Sequence, residues 1–570
     1  MRTIREYRES YAQGKSVRAV MRELWEEIQT EEDEGIFITK FSWEQIEAQL
    51  GKEGELAGIP FVVKDNIDIA GVLTTAGCPA YGYVAEETAP VVRLLQEAGA
   101  VCFGKTNLDQ FATGLVGVRT PYPVPKNPFD ADYLPGGSSC GSAVAVARGL
   151  AVFSLGTDTA GSGRVPAAYN ELVGLKPTRG YLSTRGVVDA CKSLDCVSVF
   201  ANSCADADEV FRVTARVDFD EAFSRKVPAK WPRFGKQFSF GVPKAEQMHF
   251  YGWDEARGLF EDAAKRFEEM GGRRVEIDLE PFMLAARLLY EGPWVTERFV
   301  AIRGFLAAQP EEIFPVTRGI IEGGELHLAS ALFEAQYKLA DCRRLATREM
   351  EGLDFVMVPT TPRNFTLKEI EEKPVLRNSI IGTYTNFMNL LDFAAVALPA
   401  GRYQGRLPWG ITIFGEAGTD RALMEVGARY ERGEPAGGDW DEVRVAVCGA
   451  HLEGMPLNWQ LADRGGRFLR AGKTAASYRM YLIPKGGGLP ERPALIFEEG
   501  GESIELEIWT LSREAFGEFV STIPAPLGIG KVLLDDGSEV SGFIAEPRSV
   551  PGARDLTRFG GWRAYFRDEG

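Results

Sequence analysis

LAVFSLGTDTAGSGRVPAA, residues 150–168, opens as a run to Leu155 that is apolar but for Ser154, passes into small residues, and resumes at Val165 and Pro166. A short apolar run bounded by turn residues reads as a buried strand. Two companions lie upstream. GIPFVVKDN (58–66) is a run ending at Lys64, and AVCFGKTN (100–107) is a second, with VVRLLQEAGA (91–100) between them helical in pattern and Gly99 near its stop. Apolar runs alternating with helices predict the α/β class, with a mostly parallel mixed sheet covered by helices. Ligands of such sheets bind beyond the carboxyl ends of the strands. Lys64 and the loop at 156–164 both fall there. The runs FSFGVPK, DFVMVPTTP and WGITIFGE extend the layer to about residue 432.

The small residues pose a chemical question. Thr159, Ala160 and Gly161 directly precede Ser162, and a loop so poor in side chains cannot anchor a core. It can bring backbone N–H groups close to a ligand.

At 570 residues, 45% hydrophobic and 25% charged, the chain is long enough for two or more domains. Its formal charge of −17 argues against a nucleic-acid or anionic-membrane binder, because phosphate contacts need clustered Lys and Arg. A small-molecule substrate is expected. MRTIREYRES is charged from its second residue and CGSAVAVARGLAVFSLG is interrupted by Arg148, so neither a signal peptide nor a spanning helix is expected. The 8 cysteines show no CxxC spacing, which fits a reducing cytoplasm and predicts no metal site. Residues 1–30 carry apolar positions at helical period, the mark of packing helices.

Composition shifts at ERGEPAGGDWDE (431–442), rich in Gly, Pro and acidic residues. Residues 433–442 are expected to be a linker after a first domain, 1–432. VRVAVCGAHL, ASYRMYLIP, PALIFEE, SIELEIWTL and GKVLLDDGSEVSGFIAEP then predict a smaller, mainly β domain over 443–570, with a turn at Asp535, Asp536 and Gly537.

PGGSSCGSAVAVARG (135–149) reads as a Gly-rich turn entering a helix and lacks the GxxxxGK[ST] order of a phosphate loop. Taken with Lys64 after GIPFVV and with GTDTAGSGR (156–164), GGSSCGSA (136–143) resembles the amidase signature family, as does VGLKPTRG (173–180). The resemblance implies Lys64 as the base, Ser138 as a bridging serine held by a cis peptide, and Ser162 as nucleophile. The chemistry is coherent: a lysine buried among apolar strands loses stability in its charged form and can be neutral at working pH. Neutral Lys64 takes a proton from Ser138, which takes one from Ser162. Backbone N–H groups of Thr159, Ala160, Gly161 and Ser162 are the expected oxyanion donors. Asp158 and Arg164 either brace this loop or form a surface ion pair. With only His249, His327 and His451 in the chain, a histidine triad has no support, and the first two read as structural. Cys140 and Ala160 stand where the family commonly has glycine, and Gly163 replaces a branched residue, departures that point to a narrower substrate.

Within that family the chain resembles the allophanate hydrolase subgroup through NLDQFATGLVGVRTPYPVPKN (107–127), CKSLDCVSVFANS (191–203) and LLYEGPWVTERF (288–299). The resemblance implies Arg298 as the cation gripping the substrate carboxylate and Tyr290 as its hydrogen-bonding neighbour. Arginine suits this because its fork binds a carboxylate bidentately. Their eight-residue spacing is expected to put both on one face of a helix. The alternative is a surface arginine paired with Glu297 or Glu291. AVCGAHLEGMPLNWQL (446–461) resembles the γ-glutamyl-cyclotransferase-like domain attached to this subgroup, which implies a second, decarboxylating site using His451, with Asn458, Tyr478 and Arg479 completing an anion pocket. The implied reaction is hydrolysis of allophanate to ammonia and N-carboxycarbamate, then decarboxylation, in urea degradation. No cofactor is implied; a biotin-dependent urea carboxylase upstream and a homodimer are. The competing readings are the catalytic subunit of a glutamyl-tRNA amidotransferase, and a generic amidase with a scaffold C-terminal domain.

Overall fold

The runs around the lysine and the serine loops form adjacent strands, Pro60–Lys64, Val101–Thr106 and Phe153–Asp158, in the computed structural model, which describes residues 2–227, 238–433, 442–486, 489–549 and 551–569. Every residue of these three strands is buried, as the largely apolar strands of a parallel sheet require. Pro60–Lys64 lies in the middle, parallel to both neighbours, with Lys64 opposite Thr106 and Val63 opposite Leu155. Parallel pairing brings the carboxyl ends side by side, so Lys64 and the loop after Asp158 open on the same edge.

The described residues divide into two compact units, 2–227 with 238–433, and 442–569. The first is built on an 11-stranded mixed sheet. Read across it, the strands are Phe37–Lys40, Val101–Thr106, Pro60–Lys64, Phe153–Asp158, Cys196–Ala201, Val173–Lys176, Ala394–Tyr403, Leu407–Gly415, Phe355–Pro359, Phe238–Pro243 and Gly272–Ile277. The α/β class and large mixed sheet agree with the sequence. The parallel character does not extend through it: parallel ladders are confined to Val101–Thr106 through Phe153–Asp158 and to Phe355–Pro359 through Gly272–Ile277. The middle of the sheet is antiparallel. Ala394–Tyr403 and Leu407–Gly415 are joined by three residues and form a hairpin.

Packing around the site strands is dense. Phe61 and Phe153 stack at 5.2 Å with rings 6° apart, and the helix Cys140–Ala147, built of small residues, is buried from Cys140 to Val146. The N-terminal segment forms two helices, Ile4–Ala12 and Val17–Thr30, the first closed by a capping box of Thr3 and Glu6.

The second unit holds a five-stranded sheet ordered Arg467–Lys473, Glu505–Ser512, Glu442–Val447, Glu539–Ala545, Leu527–Leu533, and a separate ladder of Tyr478–Ile483 with Arg492–Phe497. The Asp535-Asp536-Gly537 turn closes the Leu527–Leu533 and Glu539–Ala545 hairpin, with Gly537 at φ 81°. Most of the expected linker, 434–441, lies outside the described residues.

Candidate active site

Lys64 ends its strand with no exposed surface. Its Nζ donates to Ser138 Oγ and to Thr157 Oγ1, both at 2.7 Å. Burial pulls its pKa from 10.5 to about 7, against the opposing effect of buried Cys140, Asp109, Asp195 and Asp158. A lysine in this setting is substantially neutral near pH 7. The Gly137–Ser138 peptide is cis, and Asp109 organises the approach to it: its amide donates to Ser138 O at 3.0 Å while its carboxylate accepts from the amides of Val116, Gly117 and Arg119.

Ser162 is buried within the loop after Phe153–Asp158, and its Oγ donates to Gly114 O at 3.5 Å. That is a weak bond. It makes none to Ser138, so Ser138 is hydrogen-bonded to Lys64 and not to Ser162. Asp158 and Arg164 are the brace, not a surface pair. Both side chains have 0% exposure; Arg164 Nε and Nη2 fork onto the carboxylate at 2.9 and 2.8 Å, and the amides of Gly161 and Gly163 donate to the same group at 2.9 and 3.0 Å. Although burial opposes its ionisation, the Arg164 charge holds the Asp158 carboxyl below the ordinary range. Among the four expected oxyanion donors, the Gly161 amide is therefore already engaged. Those of Thr159, Ala160 and Ser162 make no hydrogen bond among the described residues. Gly161 has a separate reason to be glycine: its φ is +135°, and a Cβ there would lie 2.5 Å from Thr385 Oγ1.

Arg298 is buried, at 3% exposure, and forms no ion pair among the described residues, so it is not the surface arginine of Glu297 or Glu291. Glu297 accepts instead from the amide and hydroxyl of Ser193. Arg298 Nη1 donates to Ala112 O at 3.3 Å and Thr113 Oγ1 at 2.9 Å, and Nη2 to the Tyr290 hydroxyl at 3.4 Å. The pair is brought together, but not on one helix. Tyr290 ends Glu280–Tyr290 and Arg298 lies in Val295–Ala308, because Gly292 and Pro293 break the helical run between them. Ala112, Thr113 and Gly114 link this cation to Ser162, since Arg298 bonds the first two and Ser162 the third.

Three contributors carry no separate signal in the sequence: Thr157, Asp109 and Asp195. Asp195 accepts from Thr159 Oγ1 and from the amides of Ala190 and Cys191, and burial pushes its carboxyl up to about 6. All three sit inside the motifs that carry the family resemblance, so their place in those motifs was the available clue.

In the second unit, His451 follows the strand Glu442–Val447. Its ring stacks on Phe543 at 4.9 Å and meets Phe519 edge-on at 5.2 Å, with Nε2 3.0 Å from Gln460 Oε1. Burial lowers its pKa below 6.5, Gln460 opposes this, and the charge of Arg492 adds to it. Glu507 fastens the loop by accepting from the Glu453 amide and from Arg563. The expected anion pocket does not assemble. Arg479 is a surface residue paired with Glu498 and Asp555, Tyr478 is a core residue whose hydroxyl accepts from the Leu533 amide, and Asn458 donates to the His451 carbonyl. Alternation along the strand, with Tyr478 inward and Arg479 outward, explains the split.

The Amidase family description matches residues 39–424, and that of the allophanate hydrolase C-terminal domain matches 443–567. Urea amidolyase of Saccharomyces cerevisiae is 43% identical over 544 residues, 90% of this chain and 30% of that protein. The urea amidolyase of Lachancea kluyveri is 42% identical over 558 residues, 92% of this chain and again 30% of that protein. A glutamyl-tRNA(Gln) amidotransferase chain of Symbiobacterium thermophilum is 36% identical over 415 residues, covering 66% of this chain and 83% of its own length. Allophanate hydrolase of Kluyveromyces lactis superposes with a TM-score of 0.76 at 38% identity, over 100% of this chain and 99% of that one. The chain thus spans about 30% of the length of the urea amidolyases it matches. It belongs to the amidase family and carries, after its amidase region, an allophanate hydrolase C-terminal domain.

Proposed function

We propose that the chain is an amidohydrolase acting on allophanate, with Lys64, Ser138 and Ser162 as its catalytic groups and His451 in a second, decarboxylating step. The observation that carries the reading is Arg298, a buried cation with no carboxylate within ion-pair distance among the described residues, tied through Ala112–Gly114 to the backbone that holds Ser162. A neutral amide gains nothing from such a group. A urea bearing a carboxylate supplies the missing partner.

Neutral Lys64 accepts the Ser138 proton, and Ser138 accepts that of Ser162 once its hydroxyl leaves Gly114. Ser162 Oγ attacks the terminal carbonyl, and the free amides of Thr159, Ala160 and Ser162 receive the developing charge. Proton return through Ser138 lets ammonia depart, and water then releases N-carboxycarbamate. In the second step one C–N bond breaks, its electron pair stays on nitrogen, which takes a proton from His451, and the freed carboxylate leaves as carbon dioxide. His451 is neutral before the intermediate arrives; two incoming negative charges favour its protonated form.

Allophanate is urea plus one carboxylate, so the preceding step carboxylates urea, the reaction expected of a biotin-dependent urea carboxylase. The exposed side chains of Val300, Leu326, Leu328, Phe333 and Tyr337 support association as a homodimer, which sedimentation measures. The free, buried cysteines support a reducing, cytoplasmic setting.

Ammonia release from allophanate, malonamate, biuret and glutamine tests the reading. Allophanate is expected to be turned over far faster than the neutral amides; preferential use of glutamine would replace the reading with an amidotransferase activity.

A further inference from the structure

Arg492 opens the strand Arg492–Phe497, opposite Ile483. It is only 8% exposed, yet its Nε and Nη1 are buried with no hydrogen-bond partner, and it forms no ion pair among the described residues. Burying a guanidinium this way opposes folding unless a ligand completes it. Its surroundings place it beside the second site. The next residue, Pro493, packs so tightly on Gly449 that a Cβ there would lie 2.2 Å from Pro493 Cδ, and Gly449 is two residues before His451. Burial, with a smaller contribution from the Arg492 charge, holds the His451 imidazole below its ordinary pKa.

We infer that Arg492 and His451 form an anion subsite that takes a small dicarboxylate through one of its carboxylates. The assignment rests on the proposed decarboxylation only for the identity of the natural ligand. On that reading the geometry also selects which carboxylate is lost. The group forked by Arg492 keeps its negative charge and remains as carbamate. The other, beside the rings of Phe519 and Phe543, loses its charge on leaving as carbon dioxide, and poor solvation favours that step. The electron pair of the broken C–N bond stays on the carbamate nitrogen, which takes the proton.

Malonate has the intermediate's spacing between carboxylates and is stable, so it serves as the probe. Titrated into the full chain labelled with ¹⁵N-histidine, it is expected to shift the His451 imidazole signals saturably, with His249 and His327 as internal references. Arg492→Gln should weaken the response at least tenfold, and Arg492→Lys should fall between. Inorganic phosphate should produce a much smaller shift. A malonate response preserved in Arg492→Gln, or an equal response to phosphate, would overturn the assignment. Arg492→Met should melt no lower than the parent, since it removes an unpaired buried charge; a large fall in Tm would make Arg492 structural and overturn it too. If malonate binds as expected but labelled allophanate is not decarboxylated, the reaction assignment fails while the anion subsite stands.

Discussion

If Lys64 is the base, kcat/KM for ammonia release must follow its neutral fraction. At a pKa of about 7 that fraction is ~9% at pH 6 and ~90% at pH 8, so kcat/KM should rise ~10-fold between them and level off above. Initial rates from pH 5.5 to 9.5, at allophanate concentrations well below KM, give the profile. The same burial predicts a stability effect. Between about 7 and 10.5 the folded chain binds fewer protons than the unfolded one, so stability rises with pH across that window and the penalty is complete below it. The gap corresponds to on the order of 5 kcal/mol, and Lys64→Met should therefore be inactive yet more stable than the parent at pH 6. A rate that keeps climbing tenfold per pH unit beyond 9 would refute a depressed lysine. So would a midpoint near 6 that vanishes in Asp195→Asn, because the limb would then belong to that carboxyl.

Ser162→Ala should abolish ammonia release with Tm unchanged, since only the attacking hydroxyl and its weak bond to Gly114 O are lost; substantial turnover would remove Ser162 as nucleophile. Arg298→Ala should lower kcat/KM for allophanate by about 2–4 kcal/mol, with Arg298→Lys recovering little of it; an equal loss on neutral amides would make the arginine structural. Gly161→Ala should cost about 1–3 kcal/mol of stability from its backbone conformation, readable in urea unfolding. Thr385→Ala should not restore it, because the strain lies in φ and not only in the contact at 2.5 Å.

The strands around the site were legible because parallel burial leaves largely apolar runs: GIPFVVK, AVCFGKT and LAVFSLGTD map onto Pro60–Lys64, Val101–Thr106 and Phe153–Asp158. Antiparallel pairing in the middle of the sheet was not, because both faces are buried there as well and burial alone does not report strand direction. The small-residue loop raised the expectation of a backbone-facing site, but Asp158 claims the Gly161 amide, a competition visible only once the carboxylate is placed. The helical spacing of Tyr290 and Arg298 is overruled by Gly292-Pro293, two breakers that outweigh the apolar periodicity on either side of them. Arg492 carried no signal: a lone arginine before a proline declares itself only when its burial and lack of partners are seen together.

The central claim, two chemical steps at two sites on one chain, is tested most directly by following ¹³C-labelled allophanate by NMR with the parent and with His451→Ala. The parent is expected to pass label rapidly to bicarbonate. His451→Ala is expected to release the first ammonia at the parental rate while label accumulates in N-carboxycarbamate. Bicarbonate appearing at equal rates from both proteins would contradict the account and leave the second unit without a catalytic role.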